Sequence, residues 1–320
     1  MTKRLAGPIT VLGGTGLIGR HVIEVLRQAG AGPIVGTHHR RTPFDAPDVR
    51  WCRADLAAPE GAQEALKGAR MAVICAGRLS TAAELKRDPV ASVMATLRIG
   101  VNALEAAALE GVERVVLVSS TTGYPAGAGA KTEDALFAGD PPDPWFGVGW
   151  THRFLEKQLE WYCARLNLIG AGIVLRPTLV YGPHDDFDPA SAHFVPSFIR
   201  RVVERERPIE IWGDGSQTRN LIHASDVASA ILAGLSGAEE GFSAFNVAAE
   251  RSASVNDVLQ LLIELDGFED AEVVCRLDQA TGAAALKVSA RAFTERYGWC
   301  PAMPLRDGLA GTLAWYRSAR

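Results

Sequence analysis

Val11-Leu-Gly-Gly-Thr-Gly-Leu-Ile-Gly-Arg20 is the stretch that decides how the chain reads. It continues an apolar run, Ile9–Leu12, and passes at Leu17 into apolar residues at helical spacing, so its glycines stand in a strand-to-helix turn. Gly13 permits the tight turn, Gly16 leaves no side chain between backbone and ligand, and Gly19 lets the helix close on the sheet. With Thr15, Leu17 and Ile18 they form a helix amino terminus whose unpaired N–H groups attract an anion. The expectation is a cradle for the pyrophosphate of a dinucleotide. A glycine-rich turn without a ligand is the plainer alternative, and the strand and helix on either side argue against it.

Outward from this turn, apolar runs alternate with helical patterns: Ile34–Thr37, a helix near Gly61–Leu66, Met71–Cys75, a long helix ending near Leu109, and Val115–Ser119. A helix over Trp150–Leu166 follows, with Phe154, Leu155, Leu159 and Tyr162 at helical spacing, and then a strand Ala171–Leu175. The alternation predicts an α/β fold, a doubly wound parallel Rossmann sheet with a second, smaller α/β substrate lobe. From Arg176 the segments shorten around Pro177, Pro183, Pro189 and Pro196. The expected division is therefore 1–175 for the dinucleotide-binding domain, with 221–240 returning to it, and 176–220 with 241–320 for the smaller lobe.

A chain of 320 residues with 48% apolar content can bury a large core. Its net charge is -4, and apart from His38-His39-Arg40-Arg41 its basic residues are scattered, which argues against nucleic acid or an anionic membrane and leaves a small molecule as partner. Five cysteines form no CxxC pair and are odd in number, so reduced thiols are expected rather than a disulfide frame or a metal site. Met1-Thr-Lys-Arg runs into the first strand without an apolar signal region, and no stretch reads as long enough to span a bilayer. The expected location is the cytoplasm.

About twenty residues beyond the glycines, an acidic side chain normally holds the ribose 2′-hydroxyl of the cofactor. Here the second strand ends Thr37-His38-His39-Arg40-Arg41, without a carboxylate. His38, Arg40 and Arg41 at that place favour a 2′-phosphate, which a carboxylate would repel and a guanidinium pairs with. NADP is thus expected over NAD, with NAD and a merely solvated basic loop as the alternatives. Asp55-Leu56 after the third strand would border the adenine, and Ala76-Gly77 after the fourth would pass beneath the cofactor. Both also suit ordinary strand ends.

Further on stand Val116-Leu-Val-Ser-Ser-Thr-Thr-Gly-Tyr-Pro125, Arg176-Pro-Thr-Leu-Val-Tyr-Gly-Pro-His184, Ile211-Trp-Gly-Asp-Gly215, Arg219-Asn-Leu-Ile-His223 with Asp226, and Tyr297-Gly-Trp299. With the glycine loop, these motifs resemble the nucleotide-sugar branch of the extended short-chain dehydrogenase/reductases, the NAD-dependent epimerase/dehydratase family, over nearly the whole chain. Tyr181-Gly-Pro-His-Asp-Asp-Phe-Asp-Pro-Ala-Ser-Ala-His193, with Val195-Pro196 and Arg200-Arg201, is most similar to the GDP-L-fucose synthases within it. The resemblance implies an NDP-4-keto-(6-deoxy) sugar as substrate and a homodimer through the helices near Met94–Leu109 and Trp150–Leu166. Carried over residue by residue, it puts Ser120 on the hydroxyl that polarises the sugar oxygen and His184 on an epimerisation acid. Pro177 falls on a cofactor contact, and Thr121, Thr122, His193, Trp212 and Arg219 on contacts to the sugar nucleotide. The plainer readings are a backbone cap for Ser120, a core aromatic for Trp212 and a structural ion pair for Arg219. Thr122 stands where the synthases carry a cysteine, and a hydroxyl is too weak an acid to replace that thiolate. Ala285-Leu-Lys287-Val-Ser289 lacks the usual Arg and Asp, with Lys287 as the candidate replacement.

The tyrosine and lysine that complete this family's acid–base machinery are the departure. Matching Arg153-Phe-Leu-Glu156 sets Val148 at the tyrosine and His152 at the lysine, where it would also touch the cofactor; an alternative register sets Phe146 and Trp150 there. None of Tyr124, Tyr162, Tyr181, Tyr297 or Tyr316 is followed four residues later by lysine. Valine has no proton to exchange. One expectation is an atypical reductase/epimerase in which His152, titrating near neutrality, or His184 moves the proton. The other is a catalytically degenerate binding protein for NAD(P) and a nucleotide sugar, acting as scaffold or sensor, with His152 a helix histidine of no role.

Overall fold

The computed structural model describes residues 5–78, 85, 87–127, 129–143, 145–249, 252–278 and 287–320. Seven parallel strands form the central sheet: β1 (Ile9–Leu12), β2 (Ile34–His38), β3 (Val49–Arg53), β4 (Met71–Ile74), β5 (Arg114–Val118), β6 (Ala171–Pro177) and β7 (Gly241–Val247). Their order is β7-β6-β5-β4-β1-β2-β3, so the winding reverses between β1 and β4. The crevice outside the carboxyl ends of the strands at such a reversal is where an open α/β sheet takes a ligand.

Helices cover both faces, which is why the inner strands are apolar on both sides. In β1, Ile9 and Val11 join one core and Leu12 the other. On the first face lie α1 (Leu17–Gln28) and α6 (Ala224–Gly237), whose Ile23, Leu26, Val227 and Ile231 are fully buried. On the second lie α2 (Pro59–Leu66), α3 (Pro89–Leu109) and α4 (Phe146–Ala164), around Leu66, Leu104, Leu155 and Leu159. The smaller lobe gathers α5 (Phe194–Val203), α7 (Val255–Asp266) and α9 (Leu305–Ser318) about Ile199, Leu259, Leu262 and Leu313.

The division of the chain differs from expectation after residue 240. β7 is in register with β6 from Gly241↔Ala171 to Val247↔Pro177, which makes it a strand of the main sheet and not of the second lobe. Its sequence carries the reason: Phe242 and Ala244 enter one core, Phe245 and Val247 the other. Past it, α8 (Arg291–Tyr297) and Trp299 also pack on the first core through Phe293. α3 corrects a second expectation. Its 21 residues, with mean hydropathy 1.2, are long and apolar enough by length and composition to cross a bilayer. In the fold they lie between α2 and α4, with Ala103, Leu104, Ala106 and Ala107 in the core.

Candidate active site

Gly13 leaves β1 in the left-handed region, at φ 87°, and its N–H donates to Thr37 Oγ1 at 2.8 Å. Gly16 N–H donates to the Gly13 carbonyl at 2.9 Å, closing the turn. A Cβ on Gly19 would stand 2.1 Å from that carbonyl oxygen, so α1 can approach the loop only through glycine, whereas a Cβ on Gly16 would meet nothing nearer than 3.3 Å and would project into the crevice. Thr15, Leu17 and Ile18 are half-buried around the opening. α1 begins without a side-chain cap and without an acidic residue in its first turn, so its orphan N–H groups are left for an anion. A pyrophosphate fits this cradle.

At the end of β2, His38 meets Trp51 edge-on, with centroids 6.4 Å apart. Arg40 and Arg41 are exposed and form no ion pair among the described residues. The charge of Arg41 reaches Asp185, whose carboxyl burial pushes up to about 6. Asp55 accepts from the Ala57 N–H at 3.0 Å and turns the chain towards α2. Leu56 beside it buries its side chain in the core beneath α2. Ala76 is half-buried and Gly77 exposed, and the segment is braced by Thr96 of α3, which holds both backbone groups of Arg78 at 3.1 Å.

Ser120 follows β5 and opens a 3-10 turn, Thr121–Gly123. Its Oγ accepts from the Thr122 N–H at 3.1 Å and from the Thr122 hydroxyl at 2.9 Å. The cap and the expected donor role are compatible, because a hydroxyl that accepts twice keeps its own O–H for a third partner. Thr122, in turn, spends its hydroxyl on Ser120, while Thr121 is half-buried beside it. α4 docks on this turn. Gly149 gives the room, since a Cβ there would lie 2.8 Å from the Thr122 carbonyl oxygen. Arg153, buried, donates to the Gly123 carbonyl at 2.9 Å and to the Gly139 carbonyl.

The two registers differ in exposure. Val148 and His152, one turn apart, are half-buried, whereas Phe146 and Trp150 are 48% and 40% exposed. No hydrogen bond to the His152 ring is made among the described residues, and burial pushes its pKa down to about 4. The sequence reading of a group titrating near neutrality is therefore corrected: His152 is a neutral imidazole at physiological pH.

One turn past His152, Glu156 begins a buried network that the sequence reading missed. Ser119 Oγ donates to Glu156 at 2.5 Å, and Arg176 pairs with the same carboxylate at 2.7 Å. Arg176 also donates to the Tyr124 hydroxyl at 3.1 Å, which donates to Asn246 Oδ1 at 2.7 Å. Tyr124 is thereby committed to the core, its pKa raised by burial against the pull of Arg176. The signal was present: Arg176 is the one charge in Ala171-Gly-Ile-Val-Leu-Arg-Pro177, and a charge in a two-face-buried strand calls for a partner. Pro177, at the end of that strand, is buried next to β7.

His184, in the left-handed region at φ 71°, lies against His21 of α1 (6.3 Å between centroids) and Trp315 of α9 (4.6 Å). Burial, helped by Arg20 and His21, pushes its pKa down to about 4. No hydrogen bond or ring contact joins it to Ser120 or His152 among the described residues, so the structure does not assemble the three expected proton-handling groups into one contact set. His193 is half-buried at the amino end of α5. Trp212 is 56% exposed and so not a core aromatic. Arg219 donates to its neighbour's carbonyl, Thr218, at 2.9 Å and meets no carboxylate among the described residues, while burial lowers its pKa. It is not a structural ion pair. Lys287 is exposed; Ala285 and Leu286 lie outside the described residues.

An uncapped helix terminus over a glycine turn, at the winding reversal of a parallel sheet, defines a doubly wound dinucleotide-binding protein of the Rossmann class. The chain belongs to the NAD dependent epimerase/dehydratase family, whose model matches residues 9–248. It is 27% identical over 320 residues to a probable GDP-L-fucose synthase 1 of Oryza sativa subsp. japonica, covering 97% of this chain and 92% of the relative. It is 27% identical over 325 residues to the dTDP-4-dehydro-6-deoxy-D-allose reductase of Streptomyces bikiniensis, covering 97% and 96%. Among solved structures, MoeE5 in complex with UDP-glucuronic acid and NAD superposes with a TM-score of 0.84 at 27% identity, covering 98% of this chain and 100% of that one. Its relatives are thus nucleotide-sugar reductases and epimerases.

Proposed function

We propose that the protein is a nucleotide-sugar reductase/epimerase that takes NADP and acts on the keto form of an NDP-6-deoxy sugar. The observation that carries this reading is the uncapped α1 terminus above Gly13–Gly19, opening at the same carboxyl end of the sheet as Ser120. Gly13, Gly16, Leu17 and Ile18 would hold the pyrophosphate, and Arg40 and Arg41, unpaired and exposed, the 2′-phosphate. When bound, the coenzyme supplies or takes the hydride. Arg219, a half-buried cation without a counter-ion among the described residues, suits the sugar nucleotide's diphosphate, and the exposed Trp212 face suits its base. Ser120 hydrogen-bonds the sugar oxygen through its O–H and keeps that proton, His152, neutral, adds an N–H bond as a second polarising donor, and the proton that the reduced oxygen takes up comes from solvent. Thr122 holds the Ser120 oxygen in place. A dimer belongs to the same reading: α4 exposes Phe146, Trp150, Phe154 and Trp161, an aromatic stripe suited to an interface.

The two histidines pushed down to about 4 favour one second reading, a binding protein that holds coenzyme and sugar nucleotide without turnover. Single-turnover mixing of stoichiometric NADPH with GDP- and dTDP-4-keto-6-deoxy sugars separates them. Loss of the 340 nm absorbance supports the reductase; NADPH bound but never oxidised by any keto sugar, with no epimer formed, supports the second.

A further inference from the structure

We propose that Thr37 is a positioning residue of the dinucleotide cradle, its hydroxyl fixing the Gly13 peptide from which the anion-facing loop is built. The inference rests on the coenzyme reading above. Thr37 sits on β2, 1% exposed, and its Oγ1 accepts the Gly13 N–H at 2.8 Å across 24 residues of chain. Gly13 is the point where the chain leaves β1, so this N–H has lost the sheet and needs another acceptor.

The bond is the first of a file. Gly13 C=O accepts from Gly16 N–H at 2.9 Å, and Gly16 C=O accepts from Arg20 N–H at 2.9 Å, inside the first turn of α1. The N–H that Thr37 holds and the carbonyl that Gly16 holds belong to the two peptides on either side of the Gly13 Cα, so together they fix its φ and ψ and the direction in which the loop carries its N–H groups. Gly13 cannot hold this orientation itself: at φ 87° it has no side chain to pack and the widest backbone freedom of any residue.

From the other side the loop is blocked. A Cβ on Gly36 would lie 2.6 Å from the Trp51 ring, and one on Gly14 would meet the same ring at 3.2 Å and Ile23 at 2.9 Å. Trp51 and Ile23 fill the space that the loop would otherwise collapse into. Three consecutive positions, Gly36, Thr37 and His38, thus make room for the wedge, hold the loop and reach the adenosine end.

The test uses full-length protein and two ligands, measured by calorimetry and ligand-observed NMR: whichever of NADP+ and NAD+ the wild type binds, and adenosine 2′-monophosphate, which has no pyrophosphate. Thr37→Val and Thr37→Ala are expected to raise the dinucleotide Kd about tenfold, the cost of leaving one buried donor unpaired. The monophosphate Kd should stay within about twofold and Thr37→Ser should restore the dinucleotide. Thr37→Ala serves if Thr37→Val does not fold. Unchanged dinucleotide binding in both variants overturns the proposal, and so does an equal weakening of both ligands, the mark of a merely structural threonine. Wild type that binds neither dinucleotide would remove the coenzyme reading itself, and this proposal with it.

Discussion

The cradle beyond β1 and the proposed reaction region beyond β5 lie at the carboxyl ends of the sheet's strands and are built in opposite ways. The cradle is backbone: a positive φ, two missing Cβ atoms and a row of N–H groups, contiguous from Gly13 to Gly19. The region proposed for the reaction is side chain: Ser120 bonded to Thr122, and Ser119 and Arg176 of β6 bonded to Glu156 of α4. Backbone geometry tolerates no substitution and does not titrate. Side chains can be exchanged one at a time, and in the register proposed for α4 it is Val148 and His152 that take the places of a phenol and an ammonium. Binding and chemistry are therefore separable properties of this fold.

Four experiments can break or sharpen that contrast. Gly19→Ala should strike hardest: with a Cβ 2.1 Å from the Gly13 carbonyl oxygen, α1 must withdraw, and the dinucleotide Kd should rise by more than about a hundredfold. Calorimetry showing a change of less than about threefold would mean the cradle is not where the dinucleotide sits. Ser120→Ala should slow single-turnover hydride transfer by about a hundredfold, the usual cost of one oxyanion donor, with coenzyme affinity intact. An unaltered rate would shift the polarising role elsewhere.

Replacing Arg40 and Arg41 together by alanine should weaken NADP+ by about tenfold and leave NAD+ unaffected, because only the former carries the 2′-phosphate. Parallel titrations with equal losses for both coenzymes would reject the assignment. The smallest and most gradual effect is with acid. His152, His184 and His223 have folded pKa values near 4 against an ordinary 6.5, so the folded state prefers them neutral. The stability this represents is complete above pH 6.5 and is lost progressively from about 6.5 to about 4, as the unfolded chain takes up protons the folded chain refuses. The urea midpoint should fall between pH 7 and 5, and less steeply in His223→Gln; a midpoint flat over that range would mean these rings are solvated.

Much of the fold was legible because a parallel sheet covered on both faces writes its strands as apolar runs: Ile9–Leu12, Met71–Ile74 and Val115–Val118 stand out without a structure. β7 escaped because its apolar residues alternate with Ser243 and Asn246 at a sheet edge, and nothing local says which sheet it joins. Titration was the least legible property: His152 and His184 are both ordinary by residue type, and only the layers packed around them hold their charge off.

The sequence alone determined the strand-to-helix glycine turn, the family, and the absence of a Tyr-Lys pair at four-residue spacing, since each is a matter of residue identity and short-range order. Tertiary structure alone decided that Val148 and His152, not Phe146 and Trp150, are the half-buried pair on α4, that Arg219 meets no carboxylate among the described residues, and that Thr37 holds Gly13. Those facts depend on distances between residues far apart in the chain, which packing sets and linear spacing does not encode.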